Sequence, residues 1–328
     1  MPDILPIATF SQKDVQTAAE WILEQNPHPV PKYRLFNEVL RLRNEDPELE
    51  LAKHELAHSK WVRQLQNAQL PDGSWGRFHS QDTKLKSVFR TSEEAIDRAF
   101  SLGMERSHPV LEQVKKYIVD VLLGRAHIGD RQEKNEAWPL LIRCILAGRL
   151  AQIEPTNPLL DESWDCLREV TQRAFQSGHY RLADEAQAFL QVANTHVPKG
   201  FIESQHTLWI LSARQLPGHL EQQLVEWVWN KVDGIRYIRA PFINPTPGSI
   251  AGWLRSMNIL RRFEAWKSVC VDTLNQIWSS RGEDGFWDFG PQAGWRTDFP
   301  ISDNWRQGVN RKIDYSTFLL ALFSKYFN

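Results

Sequence analysis

The sequence predicts an all-α protein built from helical hairpins that can close into an α/α barrel, and three observations lead there. Apolar residues recur at helical spacing along most of the chain. No segment shows sustained strand alternation bounded by hairpin signals. An Asp-Gly-x-Trp turn occurs twice, each time after a helical segment, as Asp72-Gly73-Ser74-Trp75 and Asp284-Gly285-Phe286-Trp287. A helix-and-turn unit that returns in this way is the mark of a repeat architecture.

The first helix, over 11–25, starts at Ser11, and Val15, Ala18, Ala19, Ile22 and Leu23 share one of its faces. The run Pro27-His28-Pro29-Val30-Pro31 ends it, because proline removes amide donors and disfavours helix in the residue before it. Helices over 33–43 and 47–66 follow. His54 and His58 lie four apart on the second of these, a spacing that suits a metal, but with no third ligand nearby they read as solvated surface. Thr91-Ser92-Glu93-Glu94 forms a capping box for a helix that Gly103 stops. Further helices are predicted over 109–123, 136–150, 157–175, 182–193, 203–215, 219–232, 249–262, 264–279 and 308–326. Counted from residue 47, this gives roughly eleven or twelve helices, about one hairpin every 50 residues. The expected organisation is therefore an N-terminal helical extension over 1–46 and an α/α toroid of about six hairpins over 47–328.

Composition narrows the function. Apolar content of 42% and charged content of 24% are those of a soluble globular chain. A net charge of −1 provides no broad field, so nucleic acid is not an expected partner. Cys144, Cys166 and Cys270 are odd in number and have no CxxC spacing, which excludes a disulfide framework or a zinc knuckle and fits a reducing, cytoplasmic setting. No stretch reaches the ~18 apolar residues of a membrane span. Fourteen tryptophans spread over the chain supply either core or the lining of an aromatic pocket. Nucleotide and serine-hydrolase motifs are absent, and no cofactor or metal site is expected.

The segment from Trp61 through Leu65 and Gln66 or Gln69 to Gly73-Ser74-Trp75 resembles the glutamine-tryptophan repeat of terpene cyclases and protein prenyltransferase β-subunits. The copy at Asp284 keeps the turn but lacks the glutamine at the usual distance. The resemblance covers some forty residues directly, through the helix count it extends to the whole chain, and it implies an α/α toroid acting on an isoprenoid substrate. The family's chemical motifs do not carry over. Neither Asp-x-Asp-Asp nor Asp-Asp-x-x-Asp is present, and the prenyltransferase zinc pattern fails, with His206-Thr207 lacking its aspartate and cysteine. Asp165-Cys166-Leu167-Arg168-Glu169 matches the acidic motif of oxidosqualene cyclases at three of five positions, which would make a buried Asp165 the proton donor. Acidic residues near a helix N-terminus also have the simpler role of meeting the dipole.

In the repeat itself, glycine permits the tight turn, aspartate bonds the turn's own amides and tryptophan packs over a helix end, so structural work is its first reading. The functional alternative makes Trp75, Trp287 and Trp305 the walls of an aromatic cavity that stabilises carbocations. A polar mouth of Arg77, His79, Asp288 and Arg306 would accompany it, His79 moving protons and the arginines holding a diphosphate or carboxylate. The long irregular region 282–314 is the densest in chemistry, carrying Asp284, Asp288, Trp295, Asp298, Asp303, Trp305, Arg311 and Asp314. A second reading takes Asp284 and Asp288 as acid and base of a carbohydrate hydrolase or lyase. A third is a non-catalytic toroid that binds a lipid or a protein.

Overall fold

The structure is a computed structural model that describes residues 7–80, 87–197, 200–293 and 297–327. Among these the fold is all-helical, with fourteen α-helices and no strand beyond two isolated bridges. They are α1 (Gln12–Glu24), α2 (Pro29–Arg34), α3 (Pro47–Ala57), α4 (Lys60–Ala68), α5 (Ser92–Ser101), α6 (Pro109–Leu122) and α7 (Trp138–Ile153). The chain goes on with α8 (Asp161–Ala174), α9 (Leu182–Ala193), α10 (Gln205–Leu211), α11 (Gly218–Trp229), α12 (Ile250–Leu260), α13 (Trp266–Ser279) and α14 (Gly308–Tyr326). Among the described residues no helix is long and apolar enough to cross a membrane.

Local chemistry explains where the predicted boundaries moved. Pro29 and Pro31 do more than end α1: Pro29 takes the first position of α2, where its missing N–H costs nothing. Helix α2 then runs into a π-helical stretch, Leu35–Leu40, that closes on Arg41 in the left-handed region at φ 56°. The helix expected over 47–66 is divided at Ser59, whose hydroxyl accepts the Val62 amide and caps α4. The capping box at Thr91 is half made. Thr91 Oγ1 accepts the Glu94 amide at 3.2 Å, while the Glu94 carboxylate accepts from Arg90 N–H.

Two kinds of helix alternate along the chain. Helices α4, α6, α8, α11 and α13 bury one side, whereas α7, α10, α12 and α14 are buried nearly all round; in α14 every residue from Ile313 to Ser324 is buried. The buried helices pack on one another in chain order, α7 on α10, α10 on α12, and α12 on α14. Helix α14 in turn packs on α2 and the π-helical stretch, and α1 lies against α14 as well. Helix α5 joins this series through buried side chains: Arg149 of α7 bonds its Glu93 and Asp97, and Arg34 of α2 donates to the Ser101 carbonyl at 3.0 Å. At the junction of chain ends the Phe10 ring stands 5.1 Å from Trp278 and 4.9 Å from Phe323.

The two Asp-Gly-x-Trp turns are built alike. Trp75 and Trp287 are buried, and each donates its indole N–H to a carbonyl ten residues back, Leu65 at 3.0 Å and Ile277 at 2.7 Å. Each backbone N–H goes to a serine hydroxyl on the next buried helix, Ser92 of α5 or Ser316 of α14. Asp72 and Asp284 bond amides inside their own turns. Gly73 is needed twice over, since its φ is +89° and a Cβ there would come within 2.4 Å of the Gln113 carbonyl oxygen. A third copy follows α11 at Asp233-Gly234-Ile235, with Arg236 in place of tryptophan and the same glycine amide bond three residues back. Without the indole it leaves no mark in a search for Asp-Gly-x-Trp.

Candidate functional site

Most of the residues singled out by sequence take structural positions. Trp75 and Trp287 are the staples just described, and Trp75 lies beneath a surface depression edged by Leu70 and Val88, apart from the central cavity. Asp284 pairs with Lys312, and Asp288 makes a two-bonded pair with Arg311 at 2.7 and 2.6 Å. Hydrogen bonds from those cations hold both carboxyls below the usual aspartate range, the opposite of what a general acid needs. Trp305 packs at a tilt 5.5 Å from the rings of Phe299 and Tyr315, and Arg306 is exposed. Arg77 is half-buried, and its carbonyl accepts the Ser92 amide. The Asp165 carboxylate is 67% exposed on α8, so the burial that would keep a proton on it is missing. His54 and His58 lie with their rings tilted and 4.3 Å apart at the C-terminal end of α3. Trp295 lies outside the described residues.

His79 differs, because it belongs to a buried polar network. The peptide N–H groups of Phe78, His79 and Ser80 all donate to the Asp130 carboxylate, which shapes the segment before α5. His79 Nδ1 then meets Glu93 Oε2 at 2.5 Å, and His206 Nε2 stands 3.5 Å from Glu93 Oε1. Arg149, 1% exposed, donates to Glu93 at 3.0 Å, to both oxygens of Asp97 and to Gln152. Asp97 also pairs with Arg255. Gly148 places the histidine on α10: a Cβ there would come within 3.0 to 3.1 Å of the His206 backbone and Cβ, a tight contact that glycine avoids as α10 packs on α7.

Electrostatics divides these groups. Burial works to raise the Glu93 carboxyl, but the charges of His206, Arg149 and His79 outweigh it and hold the group well below its usual range. Burial pushes the His206 ring down to about 4, against the pull of the Glu93 charge. His79 is opposed by burial as well, yet its hydrogen bond to Glu93 and the Glu93 and Asp130 charges raise it.

Asp97 and Arg255 lead from this network to a cavity of about 510 Å³. Its walls come from the C-terminal turns of α5, α7 and α14, from α10 and α12, from the π-helical stretch and from Asp298 and Phe299 in the segment before α14. Phe100, Met104, Trp209, Leu254, Ile259 and Phe318 make one part apolar. Arg34, Arg106, Arg255, Arg261, Arg262 and Lys325 make the other strongly cationic, against the acids Glu38, Asp97, Glu105 and Asp298. Arg34 is satisfied by Glu38, but Arg106, Arg261, Arg262 and Lys325 have no ion-pair partner among the described residues. Burial and mutual repulsion lower all three of Arg261, Arg262 and Lys325, with Arg262 pushed down to about 10. Arg262 lies over the Trp209 ring at 4.8 Å and donates to the Ala151 carbonyl and the Ser212 hydroxyl. Asp298 is the counterpart acid: burial pushes it up to about 6, and its Oδ2 is buried without a hydrogen-bond partner among the described residues.

The chain matches no protein-family model, and no curated protein and no solved structure is similar to it. The site therefore rests on its own geometry. Sequence reasoning named His79 and Asp298 but not their partners, since Glu93 lies fourteen positions from His79, Arg149 fifty-six positions further on, and Arg261 and Arg262 meet Arg106 only through packing.

Proposed function

We propose that the buried helices close into an α/α toroid and that its cavity takes an isoprenoid-type amphiphile carrying a phosphate or diphosphate head. The ring rests on the order of neighbours, in which α2, α5, α7, α10, α12 and α14 each touch the next and α14 returns to α2. In this arrangement α1 and α2 make the first of six hairpins, which draws the N-terminal segment into the ring. The ligand class rests on one observation, four cations without carboxylate partners facing an apolar and aromatic wall in the same cavity. Guanidinium groups bind phosphate oxygens in pairs, so a dianionic head would relieve the repulsion among Arg106, Arg261 and Arg262. Phe100, Trp209, Phe299 and Phe318 take the role first given to Trp75, Trp287 and Trp305, covering the tail and offering ring faces to a cationic centre. Asp298 supplies the acid that no motif in the sequence provides, and a cyclisation begun by protonation is the reaction that combines these parts.

Calorimetry with farnesyl and geranylgeranyl diphosphates tests the reading, with the matching alcohols, inorganic diphosphate and oligosaccharides as separate arms. The diphosphates should bind at least tenfold tighter than the alcohols, and R261M/R262M should lose most of that difference. Extracted products should disappear in D298N while diphosphate binding persists. Equal affinity for alcohol and diphosphate, or preference for an oligosaccharide, would reject it.

A further inference from the structure

We infer that His79, Glu93 and His206 form a binding site for one divalent transition-metal ion, separate from the cationic cavity. One potential ligand atom from each residue lies within 4.8 Å of the other two, and the Glu93 carboxylate meets both imidazoles, His79 Nδ1 at 2.5 Å from Oε2 and His206 Nε2 at 3.5 Å from Oε1. Donors around a tetrahedral zinc with bonds of about 2.0–2.1 Å lie roughly 3.3 Å apart, so a small rotation of His79 away from the carboxylate admits the ion. Two imidazoles and one carboxylate are a donor set suited to zinc, iron or cobalt, and three protein ligands leave a position open for water or substrate.

The surroundings resemble the support that metal ligands receive. Arg149 bonds Glu93 through Oε1 and is itself held by Asp97 and Gln152, which leaves Oε2 free to ligate. Asp130 fixes the backbone of His79 through three consecutive amides. Gly148 sets the depth of His206, a residue only 4% exposed whose Nδ1 has no hydrogen-bond partner among the described residues. A buried imidazole with an unused nitrogen is uncommon, because buried polar atoms are nearly always paired. The His79 side chain is 38% exposed, which provides an entry path from solvent.

The test uses the untagged full chain and needs no isoprenoid. Metal content after purification is read by mass spectrometry, and chelator-treated protein is titrated with cobalt(II), watching for the ligand-field absorption of a low-coordinate site and its displacement by zinc. One equivalent of cobalt should bind with that absorption, and H79Q and H206Q should each weaken it at least tenfold. H54Q, which removes one ring of the His54–His58 pair at the end of α3, should change nothing. H206Q alters a buried side chain, so H79Q, at a half-exposed position, carries the decision if the other fails to fold. Absence of cobalt binding in the wild-type chain overturns the inference. So does binding that H79Q leaves intact, or that H54Q abolishes.

Discussion

Replacing Arg149 with methionine tests the buried network most directly. The guanidinium is 1% exposed and makes four hydrogen bonds, one to Glu93, two to Asp97 and one to Gln152. Methionine matches its length and polarity of stem but leaves two carboxylates, each about nine-tenths buried, without their main counter-charge. Breaking a buried pair from one side typically costs about 3–5 kcal/mol. Here Asp97 keeps Arg255 and Glu93 keeps His79, so the lower half of that range, about 3 kcal/mol, is expected. Urea unfolding followed by tryptophan fluorescence measures it at pH 7, and fourteen tryptophans give ample signal. In the companion R149M/E93Q chain the loss should shrink, because one stranded charge is gone, and the double-mutant cycle should return a coupling above about 1 kcal/mol. A loss in R149M below about 1 kcal/mol, or additive effects of the two substitutions, would refute the argument that the network is held by charge.

Two further outcomes follow from named geometry. G73A should destabilise by more than about 1 kcal/mol, since the new methyl must enter a left-handed turn and meet the Gln113 carbonyl, and thermal unfolding against wild type reads the difference. For Asp298, burial raises the folded carboxyl from the ordinary 3.8 to about 6, so the folded state holds its proton to higher pH than the unfolded chain does. That sign means stability falls as pH rises from about 4 to about 6. D298N should therefore flatten the slope over that window and stabilise the protein by about 3 kcal/mol at pH 7, and an unchanged slope in a pH series of unfolding curves would count against it.

The fold was legible wherever local chemistry decides the outcome. Helix 308–326 was read to the residue because Gly308 opens it and apolar residues recur from Val309 through Ile313 and Phe318 to Tyr326 with no proline or further glycine between. Ser59 was not seen as a break, because nothing in the periodicity of 47–66 signals that its hydroxyl will cap a new helix. The π-helical stretch depends on packing of α14 against Leu35–Leu40 and has no local signal at all. The tryptophan turns were read correctly as staples first, since an indole that spends its N–H on a carbonyl ten residues back needs only local sequence to do so. The site was less legible for the same reason inverted. Asp284 and Asp288 stand out in sequence but are drawn to neighbouring cations on α14, whereas Glu93, Arg149 and His206 look ordinary until α5, α7 and α10 are side by side.

The junction at Phe10 has a thermodynamic side. Its ring meets Trp278, Phe323 and Phe327, and Ser324 Oγ donates to the Glu38 carbonyl, so the last helix is fastened to the first segments across nearly the whole length of chain. Closing a loop costs entropy as the logarithm of its length, so a loop ten times longer than a single hairpin adds only about 2 kcal/mol. The four aromatic rings gathered there bury enough surface to offset that increment. Fastening the two ends is thus thermodynamically inexpensive, and it makes α1 and α14 one cooperative seam in place of two fraying edges.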